Sequence, residues 1–204
     1  MNHQSIIGYL MILAGFASTI GGILVLVNGK NDPLASVQNL QQDLVEPSLE
    51  PEEKGRKFED WVVRKFNTKF FVLKEWRGDK SVVGISAQSS SDPDLVFEFG
   101  LREQKAMFAV ECKWRRSFTR GNKPGIEWAT ARQIDRYQDF QRRNGMPVFA
   151  VIGVGGEPDR PSELYVVPLD RLKYPFAAVE YLAKYRKPDL EKDFYYDAGK
   201  SQLR

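Results

Sequence analysis

Histidine is almost missing from this chain of 204 residues, and its one example, His3, sits at the extreme N-terminus. That position leaves no imidazole for a Ser-His-Asp or Cys-His nucleophile, for a histidine-dependent nuclease, or for a zinc site built on histidine. Cysteine is equally scarce. Cys112 stands alone, so a disulfide framework and a cysteine-rich metal site are both excluded. Embedded in an apolar run, Cys112 reads as a small buried hydrophobe rather than a nucleophile. Acid–base chemistry is left to carboxylates and lysine. Internal repeats and long low-complexity segments are absent too, and the net charge of +3 is too small to identify a partner.

Charge is also lacking along residues 6–27, IIGYLMILAGFASTIGGILVLV. An uncharged run of ~20 apolar residues matches a bilayer core, whereas a secretory apolar region is typically ~7–15 residues long. A basic leader and a clear cleavage site are missing, so the run reads as an uncleaved transmembrane signal anchor behind a short tail, 1–5. Lys30, Lys54, Arg56 and Lys57 follow it, which orients the bulk of the protein toward the cytoplasm as a single-pass membrane protein. Ala14, Ser18 and Gly22 recur at four-residue spacing and would let two such helices approach, making a homodimer one option. Residues 28–50, with Asn-Gly, Asp-Pro and Glu-Pro steps, read as a linker with a short helix around 37–45. Residues 51–204 are then one domain, long enough for a single core.

Within that domain, two short apolar runs carry charge that a plain buried strand would not want. Residues 91–99 read SDPDLVFEF and residues 107–114 read MFAVECKW. With the two-residue period of a strand, Phe108, Val110, Cys112 and Trp114 fall on one face and Glu111 and Lys113 on the other. Asp94 opens the preceding strand, just after Pro93. If the two strands pair, Asp94, Glu111 and Lys113 converge at one end of a sheet. Neighbouring carboxylates repel each other, and a hard divalent cation between them resolves the repulsion; Mg2+ uses one or two carboxylates with water and phosphate oxygens, and Mn2+ is the alternative. The lysine can then hold or help deprotonate an attacking water, or neutralise charge on a phosphate. The structural alternative is a surface pair of Glu111 and Lys113 with Asp94 capping a turn.

Pro93-Asp94 followed by Glu111-x-Lys113 on the next strand resembles the PD-(D/E)xK nuclease superfamily. Two further elements are similar to that pattern: Gly55-x-x-x-Glu59 in a helical stretch upstream, and Gln133-x-x-x-Tyr137 in the helix downstream. The resemblance covers roughly residues 50–170. It implies a restriction-endonuclease-like α/β sandwich with a central mixed sheet flanked by helices, here preceded by one N-terminal transmembrane helix. It also implies metal-dependent hydrolysis of phosphodiester bonds in DNA, with RNA as an alternative substrate. Asp94 and Glu111 would bind the metal, joined by the backbone carbonyl of Cys112 and by Glu59 as a further ligand or outer acid. Lys113 would act on the water, and Gln133 would help place lysine, water or phosphate. A non-catalytic, membrane-tethered nucleic-acid-binding or assembly module on the same fold is the alternative from another functional class.

Element signals agree with that architecture. A helix is expected from about Pro51, with Ser48 as a cap candidate, Glu52 and Glu53 at its positive end, and Phe58, Trp61, Val62 and Phe66 at helical spacing. Glu59 shares that side and can face the sheet. A strand at 70–73, the two motif strands, a helix over 127–144 ended by Gly145, strands at 148–154 and 164–167, and a C-terminal helix near 176–185 complete the series. Just past Lys113 come Arg115, Arg116, Arg120 and Lys123, and the next helix adds Arg132 and Arg136. Arginines clustered beside a metal site fit phosphates, which supply most nucleic-acid affinity without reading sequence.

Overall fold

The computed structural model describes residues 50–77 and 92–204. The expected membrane anchor, the linker with its short helix, the Ser48 cap and the polar loop at 78–91 lie outside the described residues. Among the described residues, no helix is long and apolar enough to cross a membrane.

In chain order the elements are α1 (Pro51–Arg64), β1 (Phe71–Trp76), β2 (Leu95–Leu101), β3 (Gln104–Arg115), β4 (Gly125–Glu127), α2 (Ala131–Asn144), β5 (Val148–Val154), β6 (Glu163–Pro168), β7 (Phe176–Ala178), α3 (Val179–Leu182), β8 (Tyr196–Asp197) and β9 (Gln202–Leu203). Five strands form one mixed sheet in the order β1-β2-β3-β5-β6. Its single parallel pair is β3 with β5, joined through α2; all other neighbours are antiparallel. A parallel pair needs such a crossover, and the helix in it must lie on one face of the sheet.

The alternation read along β3 decides which helix covers which face. Phe108, Val110 and Cys112 join Phe58 and Val62 of α1 in one apolar cluster, with Leu95, Phe97, Phe149 and Val151. On the opposite face Val96, Ala109, Val148, Ala150 and Ile152 pack with Ile134, Tyr137 and Phe140 of α2. β5 lies between two strands and under both helices, which is why all of its residues are buried and why its sequence is apolar without alternation.

α1 begins with Pro51 in its first turn and carries Glu52 and Glu53 there, as expected. α2 ends where the sequence placed the stop: Gly145 is left-handed, with φ 62°, and its N–H donates to the Gln141 carbonyl. Its start is later than expected. Thr130 is the N-cap, and with Gln133 it makes a reciprocal capping box. Glu127 instead closes β4, which pairs with β7, while the Trp128 indole donates to the Tyr174 carbonyl at 2.8 Å.

The C-terminal region also departs from the expected helix at 176–185. Phe176–Ala178 is a strand and only Val179–Leu182 is α-helical, followed by a 3-10 turn at Ala183–Tyr185. The chain then closes in the β8–β9 hairpin rather than a helical extension. Both differences have one cause: the pairing of β7 with β4 and the seating of the hairpin on the aromatic core are non-local, and tertiary pairing overrides weak helical propensity in short segments.

Candidate active site

β3 outruns its neighbour on one side. β2 starts at Leu95, opposite Val110, whereas β3 continues to Arg115 with, among the described residues, β5 alone paired beside it. The first backbone donor left over on that open side belongs to Cys112, and the Asp94 carboxylate accepts it at 2.9 Å. The chain that would have extended the ladder is replaced by an acid side chain. A strand residue points its N–H and C=O to the same side, so the Cys112 carbonyl is directed into the gap as well.

Glu111 and Lys113 project to the α2 face of the overhang. Glu111 is only 2% exposed. One of its oxygens, Oε1, is ion-paired with the Lys113 ammonium and accepts the Tyr137 hydroxyl at 2.5 Å. The other, Oε2, is buried with no hydrogen-bond partner. A buried orphan carboxylate oxygen is costly and calls for an explanation. Burial and then the nearby Asp94 push the Glu111 carboxyl up from 4.5 to about 7, against the lowering effect of Lys113 and Tyr137. Burial would lower the Lys113 ammonium, but Glu111 and Asp94 outweigh it and hold the lysine protonated more firmly than usual. Burial and the Glu111 charge push the Tyr137 hydroxyl up, so it stays a donor.

The third acid comes from α1. Glu59 is 8% exposed, and its Oε2 accepts the Trp76 indole N–H at 3.0 Å. It lines the cleft of about 800 Å³ that opens at the end of the overhang, together with Asp94, Cys112, Lys113 and Trp114. Glu111 lies just behind that wall. Burial, followed by the charges of Asp94, Glu59 and Glu111, pushes the Cys112 thiol well above its ordinary value. Burial and the three acid charges thus favour the protonated form of this thiol.

Two residues that hold these acids were not singled out in the sequence. Besides the Trp76 indole on Glu59, the Arg77 backbone N–H donates to the Asp94 carbonyl at 2.7 Å, and the Arg77 guanidinium donates to the Pro93 carbonyl at 3.0 Å. The last residues of β1 and the one after it thus buttress both walls of the cleft. A tryptophan and an arginine at the end of an edge strand give no spacing signal for this. Tyr137 was legible as part of the buried stripe Ile134, Tyr137 and Phe140, and a hydroxyl in such a stripe signals a polar partner.

The remaining expected residues take different places. Gln133 has its carboxamide oxygen in the capping box, accepting from the Thr130 N–H at 2.9 Å, so it fixes the start of the helix that carries Tyr137. Arg115 is a bracket: its guanidinium donates to the carbonyls of Glu127 at 2.9 Å, Trp114 at 2.9 Å and Trp128 at 3.3 Å. Those bonds tie β4 to the end of β3, and Arg115 also lines the cleft. Arg116, Arg120 and Lys123 are exposed in the following loop, and Arg116 lines the cleft. Arg132 is exposed at the start of α2, and Arg136 is half-buried with an unpartnered buried Nε.

The candidate donors here are oxygens: the Asp94 carboxylate and the Cys112 carbonyl at the gap, and the buried Glu111 carboxylate on the α2 face of the same strand. Among the described residues, no group of three or more His, Cys, Asp or Glu side chains forms an all-side-chain metal cage. Such a sparse oxygen set suits Mg2+, which keeps several waters and takes one or two carboxylates, and the orphan Oε2 is an atom that a cation would satisfy.

No protein-family model matches the chain, and no curated protein matches it. Among solved structures it is similar to Hjc, a Holliday junction resolvase from the archaeal hyperthermophile Archaeoglobus fulgidus, at 15% identity and a TM-score of 0.43, over 64% of this chain and 93% of that one.

Proposed function

We propose that this chain is a Mg2+-dependent phosphodiester hydrolase acting on DNA, tethered to a membrane by residues 6–27. The observation that carries the reading is Glu111: a buried carboxylate bonded through one oxygen by Lys113 and Tyr137, with its other oxygen unpartnered and a second acid, Asp94, beside it. A purely structural ion pair has no use for the second acid or for the orphan oxygen.

Asp94, Glu111 through Oε2 and the Cys112 carbonyl would hold the cation, with Glu59 at the margin of the cleft. When bound, the cation supplies positive charge to the phosphate under attack. Tyr137 and Lys113 fix the Glu111 side chain by gripping the same oxygen, which directs the other away from both. The Lys113 ammonium lines the cleft, so it can orient the attacking water and neutralise charge that develops on the phosphate. Arg116 holds the strand beyond the scissile bond.

The proton on Glu111 provides the test. Below about pH 7 the folded protein keeps this proton, whereas an unfolded chain loses it near 4.5. The metal-free protein is therefore expected to lose stability as pH rises through this window, by about 3 kcal/mol at most. Mg2+ competes with the same proton. Cleavage of labelled DNA at limiting Mg2+ should rise as pH increases through about 7, and the midpoint should move down as Mg2+ is raised. A profile that is flat across that range, at every Mg2+ concentration, contradicts the assignment of Glu111.

The tether has its own test. The full-length chain should stay in the membrane pellet after carbonate washing, with the C-terminal domain reached by protease only from the cytoplasmic side. A shortened, exported, soluble chain would show that the run is a cleaved signal peptide.

A further inference from the structure

The bracket formed by Arg115 leads from the cleft to a surface that the catalytic reading does not use. β4 and β7 form a separate two-stranded ribbon whose inner residues, Ile126 and Ala177, are buried. Its outer face carries Phe176, paired across the ribbon with Glu127. The Phe176 ring packs against Gly125: a Cβ on that glycine would meet the ring at 2.4 Å and the Ala177 carbonyl oxygen at 2.4 Å. Only glycine lets the ring settle there. Phe176 is nonetheless 39% exposed, and Tyr174, two residues before it, is 74% exposed.

Cations border these rings. The loop after β3 is closed at its base by the Thr119 N–H donating to the Gly125 carbonyl at 2.8 Å, which confines Arg120 and Lys123 to the short turn leading into the ribbon. Arg116, at the near end of the same loop, lines the catalytic cleft. Lys173 is exposed next to Tyr174. Glu127 is exposed on the ribbon opposite Phe176, and Glu180 is exposed just after β7. Exposed rings on a paired ribbon that Arg115 ties to the end of β3, with basic residues in the neighbouring segments, match the chemistry of an unpaired nucleic-acid strand. Rings accept bases of any sequence by stacking, and lysines and arginines track the phosphates.

We propose that the β4–β7 ribbon is a stacking shelf for single-stranded nucleic acid leaving the cleft, with Tyr174 and Phe176 taking bases and Arg116, Arg120, Lys123 and Lys173 taking phosphates. The inference rests on the reading of the cleft as a phosphodiester-cleaving site, which the shelf extends. A duplex presents its bases edge-on and already stacked, so the rings discriminate for unpaired strands.

The experiment uses the full-length chain with 2-aminopurine-labelled single strands of DNA and of RNA, and a blunt DNA duplex, in EDTA for binding and in Mg2+ for cleavage. Tyr174→Ala and Phe176→Leu, alone and together, are the variants; leucine keeps a cover over Gly125. Each is expected to weaken single-strand binding roughly ten-fold and to abolish part of the 2-aminopurine quenching, while leaving duplex affinity unchanged. The DNA and RNA arms show which strand the shelf prefers. Should Phe176→Leu lower the melting temperature, Tyr174→Ala decides alone, because its side chain is mostly in solvent. Unchanged single-strand affinity in the variants, equal losses on duplex and single strand, or a wild-type chain that binds no single strand overturns the shelf. A wild type that cuts in Mg2+ while the variants bind normally removes the shelf and leaves the catalytic site. One that binds single strands through these rings but never cuts keeps the shelf and removes the proposed hydrolase.

Discussion

Lys113→Met is expected to lower cleavage by about a hundred- to ten-thousand-fold, the usual contribution of one positioned proton-handling or charge-stabilising group, while Mg2+ still binds. The ammonium sits on Glu111 Oε1 and not on Oε2. Removing it leaves both carboxylates in place and takes away a competing positive charge, so metal affinity should hold or tighten. Glu111→Gln and Asp94→Asn should behave differently, losing catalysis and metal affinity together, since each replaces a charged oxygen that faces the cation. Asparagine at 94 can still accept the Cys112 N–H, and glutamine at 111 can still accept from Tyr137, so both variants should fold. Calorimetric Mg2+ titration, thermal melts and cleavage assays on the three variants separate these outcomes. Normal activity in the Glu111 and Lys113 variants would remove the site.

Ending the chain at Asp193 should leave a protein without a cooperative thermal transition. The deleted segment carries Phe194, Tyr196 and Leu203, which are 3%, 2% and 2% exposed. Tyr196 stacks on Phe108 of the central strand with centroids 4.7 Å apart, and Phe194 meets Phe66 at 4.8 Å. Loss of one large buried aromatic costs about 3–5 kcal/mol, against a total domain stability of about 5–15 kcal/mol, so losing all three side chains exceeds what the fold can absorb. Tyr196→Ala alone should cost about 3–5 kcal/mol in denaturant titration. A truncated chain that melts cooperatively near the wild-type temperature would show that the hairpin is an appendage and not part of the core.

The contrast between β3 and the C-terminal region shows where the sequence was legible. Along β3, a strict two-residue period put Glu111 and Lys113 opposite Phe108, Val110 and Cys112, and burial enforces that register. The stop of α2 at Gly145 and the buried run of β5 were legible for the same reason: each follows from a local rule. The ribbon was not, because Phe176–Ala178 becomes a strand only by pairing with Gly125–Glu127, far earlier in the chain; the final hairpin pairs locally, and what was not legible is its seating on Phe108 of the central strand. At the site, the acids and the lysine were named from motif spacing; Glu59, Asp94 and Lys113 line one cleft, and Glu111 is ion-paired with Lys113. What holds them was not: Trp76 on Glu59 and Arg77 on the Pro93-Asp94 segment depend on where β1 ends relative to β2. The three carbonyl partners of Arg115 were not legible either, since they depend on where β4 meets the end of β3.

The central claim is that Asp94, Glu111 and Lys113 form a working hydrolytic site, and one comparison tests it most directly. The full-length wild type and Lys113→Met are incubated with the same end-labelled linear, nicked, branched and single-stranded DNA, in Mg2+ and in EDTA, with binding measured in parallel. The wild type should cut at least one substrate in Mg2+ and none in EDTA, while Lys113→Met should bind that substrate as well as the wild type does and leave it whole. A wild type that binds DNA and titrates Mg2+ but cuts nothing would contradict the central claim and make the chain a binding module; a Lys113→Met variant that cuts at the wild-type rate would contradict the assigned role of the lysine.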